Sequence, residues 1–482
     1  MVNPPSLDSE DSTQLMLHLR KRWSLVRSHF LTLWISLASL IFFLAATLRH
    51  TLFQSTAFDL GIYDQIVYLM SRGLPQISSY LGFHHMGNHA AFSLYPLALL
   101  YWIYPSVYWL FAVQAVFLAL GALPTWMLAR QAGLSRSLSQ AMVAAYLFYP
   151  LVFNLNLFDF HPEVMALAAF LLAIWTARSQ QNIGFCVVIL FVLGCKDALS
   201  MTIAAMGFWL LVFEKRRFCG LFALLVGSAW FFLTTQWMIP MLSGTEAAAV
   251  DRYSELGDSV LEIGQNLLLK PSLVLNQIFS PDTSKYLSRL LAPLVWGLVP
   301  QHLAPLVSGI PALLANLLSE SPAQRDVVHQ YSLPILPFLL VAAIDALAAG
   351  RGWLRQRRWI VLWSIVFFVL LGKYTRFYPE YVRSLDTWAA SREAIAQIEP
   401  HQGGVITDNF LGAHLSQRPF IQLLRPAKFE ADVQQADYVL LNLNNPWQDN
   451  VKPVKQVLAK VEQNPAFQLG YQRDGVYLFQ RK

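Results

Sequence analysis

The sequence predicts an α-helical polytopic membrane protein followed by a small soluble α/β domain, and three observations carry that reading. Of 482 residues, 55% are hydrophobic and only 13% are charged, whereas a soluble chain needs about 25% charged residues to cover its surface. Mean hydropathy is +0.43. Apolar runs of near-spanning length recur as far as residue 372, and charge rises again beyond it.

The net charge of +6 does not form a nucleic-acid surface. The basic residues sit in short clusters between apolar runs, as they do in cytoplasmic loops of membrane proteins. The bilayer is therefore the expected partner, and no nucleic acid is. Cys186, Cys195 and Cys219 lie in or beside apolar runs with no CxxC spacing, which excludes a disulfide framework or a thiolate metal site.

A spanning helix needs about 20 apolar residues, fewer inside a packed bundle. Eleven spans follow: 30–48, 106–129, 138–153, 164–178, 182–195, 198–213, 218–240, 287–300, 303–319, 333–349 and 359–372. The polar segment 1–29 carries Arg20, Lys21, Arg22 and Arg27 next to the first span, so it is assigned to the cytoplasm as an anchor flank rather than a cleavable signal. On this topology fourteen basic residues fall on the cytoplasmic side, and eight fall in the much longer segments opposite. The membrane domain covers 30–372 with external loops 49–105 and 241–286, and the extracytoplasmic α/β domain covers 373–482.

Inside loop 49–105, residues 58–71 read as an amphipathic helix and 89–104 as an apolar helix lying at the membrane surface. In the tail, strands are expected at 404–407, 438–443, 467–471 and 475–480, with helices at 386–398 and 452–462. Gly403 and Gly404 precede a strand rather than joining a strand to a helix, so they form no phosphate-binding fingerprint.

The unusual polar residues gather on the side opposite the cytoplasm. Asp59 fits a capping box begun by Thr56; as a carboxylate at the membrane surface it also suits a general base or a contact to a divalent cation. Asp64 lies roughly 140° around a helix from Asp59, on a different face. His84, His85 and His89 sit among Gly82, Gly87 and Asn88, a loop context that favours interfacial or phosphate contact over a metal site. The turn Phe158–Glu163 carries Asp159, His161 and Glu163, with Glu163 suited to capping the next helix. Lys196 and Asp197 separate two short apolar runs, where charges pair or line a wet cavity. Arg325, His329 and Tyr331 precede a proline-rich span and suit a lipid phosphate or sugar.

The segments FDLGIYDQ, FDFHPE, the KD pair and HQYSLPILPF, in that order over most of 50–345, resemble the membrane-protein family described as domain of unknown function 2079. That family looks like a branch of the GT-C superfamily of membrane glycosyltransferases. The resemblance implies a GT-C-like bundle of about 11 transmembrane helices in the plasma (inner) membrane. It implies transfer of a sugar from a polyprenyl-phosphate-linked donor to an acceptor on the extracytoplasmic face. It carries the role of base or metal contact onto Asp59, with Asp64 second. His84, His85, His89, His161, Glu163, Lys196, Asp197, Arg325, His329 and Tyr331 become candidate substrate contacts. A divalent cation, Mg or Mn, would be held by Asp59 and His161. The sequence lacks the adjacent acidic pair found in several branches of the superfamily.

Two other readings compete. A lipid or solute transporter or flippase would place charge and broken helices near mid-membrane, whereas the charges here sit at span ends. A non-catalytic scaffold with a binding C-terminal domain would leave Asp59, His161 and Lys196 apart. Sugar, acceptor and oligomeric state are open at this level.

Overall fold

The protein is described by a computed structural model covering residues 29–245 and 250–482, without the side chains of residues 29, 375–378, 380 and 449. The expected cytoplasmic segment, with Arg20, Lys21, Arg22 and Arg27, lies outside the described residues.

Among the described residues, five helices are long and apolar enough to cross a membrane by length and composition: Phe30–Thr51, Tyr108–Gln131, Arg136–Leu157, Arg217–Ser243 and Gln330–Ala348. Four other expected spans, 164–178, 182–195, 198–213 and 303–319, coincide with shorter apolar helices, Val164–Arg178, Asn182–Leu193, Leu199–Val212 and Ala304–Leu318. The stretch expected at 287–300 is divided between the end of helix Pro281–Leu291 and a 3₁₀ segment, Ala292–Gly297, because Pro293 cannot supply the backbone donor an α-helix needs. The last expected span corresponds to helix Arg357–Leu371. A single buried apolar cluster runs through the bundle from Leu31 to Ile360.

Helices Leu199–Val212 and Arg217–Leu233 approach closely through small residues. A Cβ at Gly207 would lie 2.3 Å from the backbone nitrogen of Leu224, and one at Gly227 would lie 2.7 Å from that of Ala204. Hydrocarbon gives apolar helices little reason to associate, so backbone contact of this kind supplies the attraction.

In loop 49–105 the stretch expected at 58–71 as an amphipathic helix differs from that expectation. A single π-helical turn, Ala57–Gly61, leads into helix Ile62–Ser71, in which every residue from Ile62 to Leu69 is buried. Strands β1 (Ile77–Ser78) and β2 (Phe83–His84) pair as a short hairpin, and helix Leu94–Ile103 follows. The helix Ile62–Ser71 is buried on all sides because residues more than 300 positions away close over it. Residues 405–481 form a five-stranded sheet of β3 (Val405–Thr407), β4 (Ile421–Leu423), β5 (Tyr438–Asn442), β6 (Phe467–Arg473) and β7 (Val476–Arg481), ordered β4-β3-β5-β7-β6. The first three strands are parallel, and β7 runs antiparallel to both β5 and β6. Helices Leu385–Ile395 and Lys452–Glu462 accompany the sheet.

The junction between loop and sheet is polar and buried. Gln65, fully buried, donates to Ser79 Oγ (2.7 Å) and to the Arg418 carbonyl (3.0 Å). Ser79 Oγ in turn donates to the Ile421 carbonyl at 2.7 Å. The carboxylate of Asp64 accepts from Tyr101 Oη (2.6 Å), Ser416 Oγ (2.5 Å) and Gln417 Nε2 (2.9 Å). Removing one side of such a cluster leaves the others dehydrated and unpaired. Asp64→Ala is therefore expected to destabilise the protein by about 3 kcal/mol or more, read as a lowered unfolding midpoint in detergent. Ser416→Ala should add little in the Asp64→Ala background, whereas on its own it should be costly.

Candidate functional site

The site is built outward from Asp159, a side chain fully buried in the turn after helix Pro150–Leu157. Its carboxylate receives Arg49 Nη1 at 2.5 Å from the end of helix His29–Thr51. It also receives the Thr56 backbone N–H at 3.1 Å and the Thr56 hydroxyl. The Asp159 backbone carbonyl accepts from His161 Nδ1 at 2.8 Å. One residue thus joins the first long helix, the start of the external loop and the FDFHPE turn.

The Thr56 hydroxyl is turned to Asp159 and accepts no helix N–H, so the cap expected around Asp59 does not form. Phe58 has non-helical angles (φ −105°, ψ 75°) and gives its N–H to Asn409 Oδ1 at 3.0 Å. The turn that follows points Asp59 at the FDFHPE segment. Asp59 Oδ2 lies 3.4 Å from His161 Nε2, with the Asp59 side chain 32% exposed and that of His161 only 2%. The hydrogen bond from Nδ1 to the Asp159 carbonyl leaves Nε2 to face the carboxylate. Phe158 stacks on the imidazole at 5.1 Å, and Tyr63 meets it edge-on at 5.9 Å.

Charges next to this pair are matched one to one. Lys196 Nζ donates to Glu163 Oε1 at 2.5 Å, and His89 Nδ1 lies 3.0 Å from Asp197 Oδ1. Lys196 and Asp197, adjacent in sequence, therefore pair with different partners rather than with each other. Glu163 stands at the start of helix Val164–Arg178 but makes no capping bond, since Lys196 takes its carboxylate. Burial drives the Asp59 and Glu163 carboxyls upward; His161 beside Asp59, and Lys196 with His161 beside Glu163, outweigh it and hold both below the usual range. Burial lowers His161, but Asp59 beside it, with Glu163, outweighs burial and raises it above its usual value.

A further acid–imidazole pair adjoins. His329 Nδ1 lies 2.7 Å from Asp326 Oδ2, and its ring meets Phe158 at 4.7 Å, so Phe158 lies between the two imidazoles. Tyr331 carries Arg252 over its ring at 5.0 Å, and Arg325 reaches Gln277 at 3.4 Å.

Other candidates are held elsewhere. His84 and His85 belong to the hairpin region, with His85 bonded to Gln76 at 3.2 Å. Burial lowers His85 to about 3. Asp64 belongs to the loop–sheet junction described above. Asp159, Arg49, Tyr63, Asn409 and Asp326 complete the site without having stood among its candidates; the only sequence signal for Asp159 was its place inside FDFHPE. A cavity of 490 Å³ opens between residues 74–82 and 419–435, and neither Asp59, His161 nor Lys196 lines it.

Asp59 and His161 are the two side chains that would contribute to a divalent cation, the neighbouring acids being paired with Lys196 and His89. Among the described residues no group of three or more His, Cys, Asp or Glu side chains is placed to hold a metal ion, so a cation there would draw its remaining ligands from non-protein oxygens.

The sequence profile of the family described as "Predicted membrane protein (DUF2079)" matches residues 49–478. Among solved structures, ArnT from Cupriavidus metallidurans bound to undecaprenyl phosphate superposes with a TM-score of 0.57 at 12% identity, covering 94% of this chain and 98% of ArnT. Its apo form gives 0.54 at 11% identity, covering 93% and 97%. The two chains share a fold over nearly the whole of their lengths. No curated protein matches the chain at a significant level.

Two measurements test the electrostatics. Lys196→Met should cost about 3–5 kcal/mol by stranding buried Glu163, and the double variant with Glu163→Gln should recover most of that loss in thermal unfolding. Asp59, with its lowered value, contributes stability above the ordinary aspartate range and loses it as pH falls through the lowered value. His161, with its raised value, contributes below the ordinary histidine range and loses it as pH rises through the raised value. Both contributions are present between about pH 4 and 6.5. The stability deficit of Asp59→Asn should therefore be largest in that window and shrink at either side.

Proposed function

This chain belongs to the family of membrane proteins described as DUF2079, and on that premise we propose that it is an inverting membrane glycosyltransferase. It takes a sugar from a polyprenyl-phosphate-linked donor and passes it to an acceptor hydroxyl on the extracytoplasmic face of the plasma (inner) membrane. In this orientation the N-terminal segment is cytoplasmic and the C-terminal sheet stands outside. The observation that carries the reading is a partly exposed carboxylate, Asp59, set against a buried imidazole, His161, at the end of an apolar bundle.

The chemistry follows from that pair. Asp59 accepts the proton of the acceptor hydroxyl as its oxygen bonds to the anomeric carbon from the face opposite the phosphate. The bond from that carbon to the phosphate oxygen breaks, the polyprenyl phosphate leaves with the electron pair, and the anomeric configuration inverts. His161 holds Asp59 ionised and oriented before the proton arrives. Lys196, with N–H donors beyond the one given to Glu163, and His329, oriented by Asp326, are assigned to the phosphate. Structural likeness to a protein solved with undecaprenyl phosphate supports a lipid-phosphate donor. The meeting of Asp59, His161 and the Glu163–Lys196 pair supports an enzyme over a scaffold.

In proteoliposomes supplied with lipid-linked sugar donors, Asp59→Asn should lower transfer by about a hundredfold or more, the scale of a lost general base. Retention of full activity would remove Asp59 from the role. His161→Ala should cost less at its optimum and should move the acid limb of the pH profile toward the ordinary aspartate range.

A further inference from the structure

The segment 260–279 carries an outward apolar face that none of the described residues covers. It comprises helices Val260–Leu269 and Pro271–Ile278, and neither contains a buried residue. Leu261, Leu268 and Leu275 recur every seventh position and are 66%, 82% and 51% exposed, with Leu269 at 75% and Phe279 at 78% beside them. Leu261 and Leu268, seven positions apart, share one face of the first helix, and Leu275 and Phe279 are the exposed apolar residues of the second helix and its end. The charges keep to the margins. Glu262 accepts the Asp258 N–H at 3.1 Å, and Lys270 reaches the Glu255 carbonyl at 3.2 Å.

The opposite face is anchored. Helix Pro271–Ile278 packs against Ile310–Leu318, within the apolar helix Ala304–Leu318. The Tyr253 hydroxyl donates to the Ala315 carbonyl at 3.0 Å, and Glu320 N–H donates to the Arg252 carbonyl at 2.8 Å. These bonds fix the segment at the end of that helix nearest Arg325 and His329. Ile310, on the supporting helix, is itself 44% exposed. The segment and the helix that supports it thus both present apolar side chains outward.

We propose that residues 260–279 form a lipid-embedded arm, lying in the plane of the membrane with Leu261, Leu268, Leu269, Leu275 and Phe279 inserted among the acyl chains of the leaflet on the Asp59 side. The partner is the hydrocarbon edge of the bilayer. An amphipathic segment with a wide apolar face and few charges partitions to that depth, and a patch of this size left in water would drive association instead. The proposal concerns where the arm lies and is independent of sugar transfer.

The full chain is reconstituted in phosphatidylcholine nanodiscs containing a phosphatidylcholine with a photoreactive diazirine on its acyl chain. Adducts are mapped by peptide mass spectrometry, with helix Arg217–Ser243 as the internal standard. Adducts on 260–279 are expected alongside those on Arg217–Ser243. They should be lost in the triple variant Leu261→Ser, Leu268→Ser, Leu275→Ser, while the standard keeps its labelling and so reports an intact bundle. Labelling confined to the standard in the wild-type protein would overturn the proposal.

Discussion

The arrangement depends on one buried carboxylate, Asp159, and on the cation that neutralises it. A charge taken out of water is tolerated only when every lone pair finds a donor, and Asp159 finds Arg49 from the first helix together with both polar groups of Thr56. Meeting that demand draws the start of the external loop against the FDFHPE turn. The same residue's carbonyl fixes one nitrogen of His161 and leaves the other to face Asp59. Asp159 does no chemistry in this account; it determines where the chemistry can be.

The surroundings repeat the principle. Glu163 with Lys196, Asp197 with His89 and Asp326 with His329 are all acid–base pairs in a region of low solvent access. Matched pairing keeps the site near neutrality before substrate arrives, yet each basic member retains donors that an incoming phosphate can share. The loop–sheet junction obeys the same rule with neutral donors around Asp64, which ties the C-terminal strands to the loop that carries Asp59. Position of the carboxylate and attachment of the sheet are therefore mechanically linked.

Much of the scaffold was legible in the sequence because hydrocarbon imposes length and apolarity on each helix. The proline-interrupted stretch at 287–300 was less so, since Pro293 turns its second half into 3₁₀ geometry. Strand β4 escaped notice because three residues, Ile421–Leu423, carry too little alternation to read. The helix Ile62–Ser71 looked amphipathic and is buried all round, a consequence of the distant Ser416–Arg418 stretch that covers it. In the site, local rules misled twice. Thr56 and Glu163 both resemble helix caps, and both are claimed instead by partners 103 and 33 positions away. Periodicity and capping describe neighbours along the chain, whereas these residues are governed by neighbours across the fold.

A structure of the full chain with a polyprenyl phosphate would show whether a lipid phosphate is brought to the Asp59–His161 pair. The phosphate is expected within hydrogen-bonding reach of Lys196 or His329, with a terminal oxygen, not the prenyl ester oxygen, turned toward the Asp59 side. A phosphate bound at the loop–sheet cavity, or on the opposite side of the bundle, would contradict that expectation.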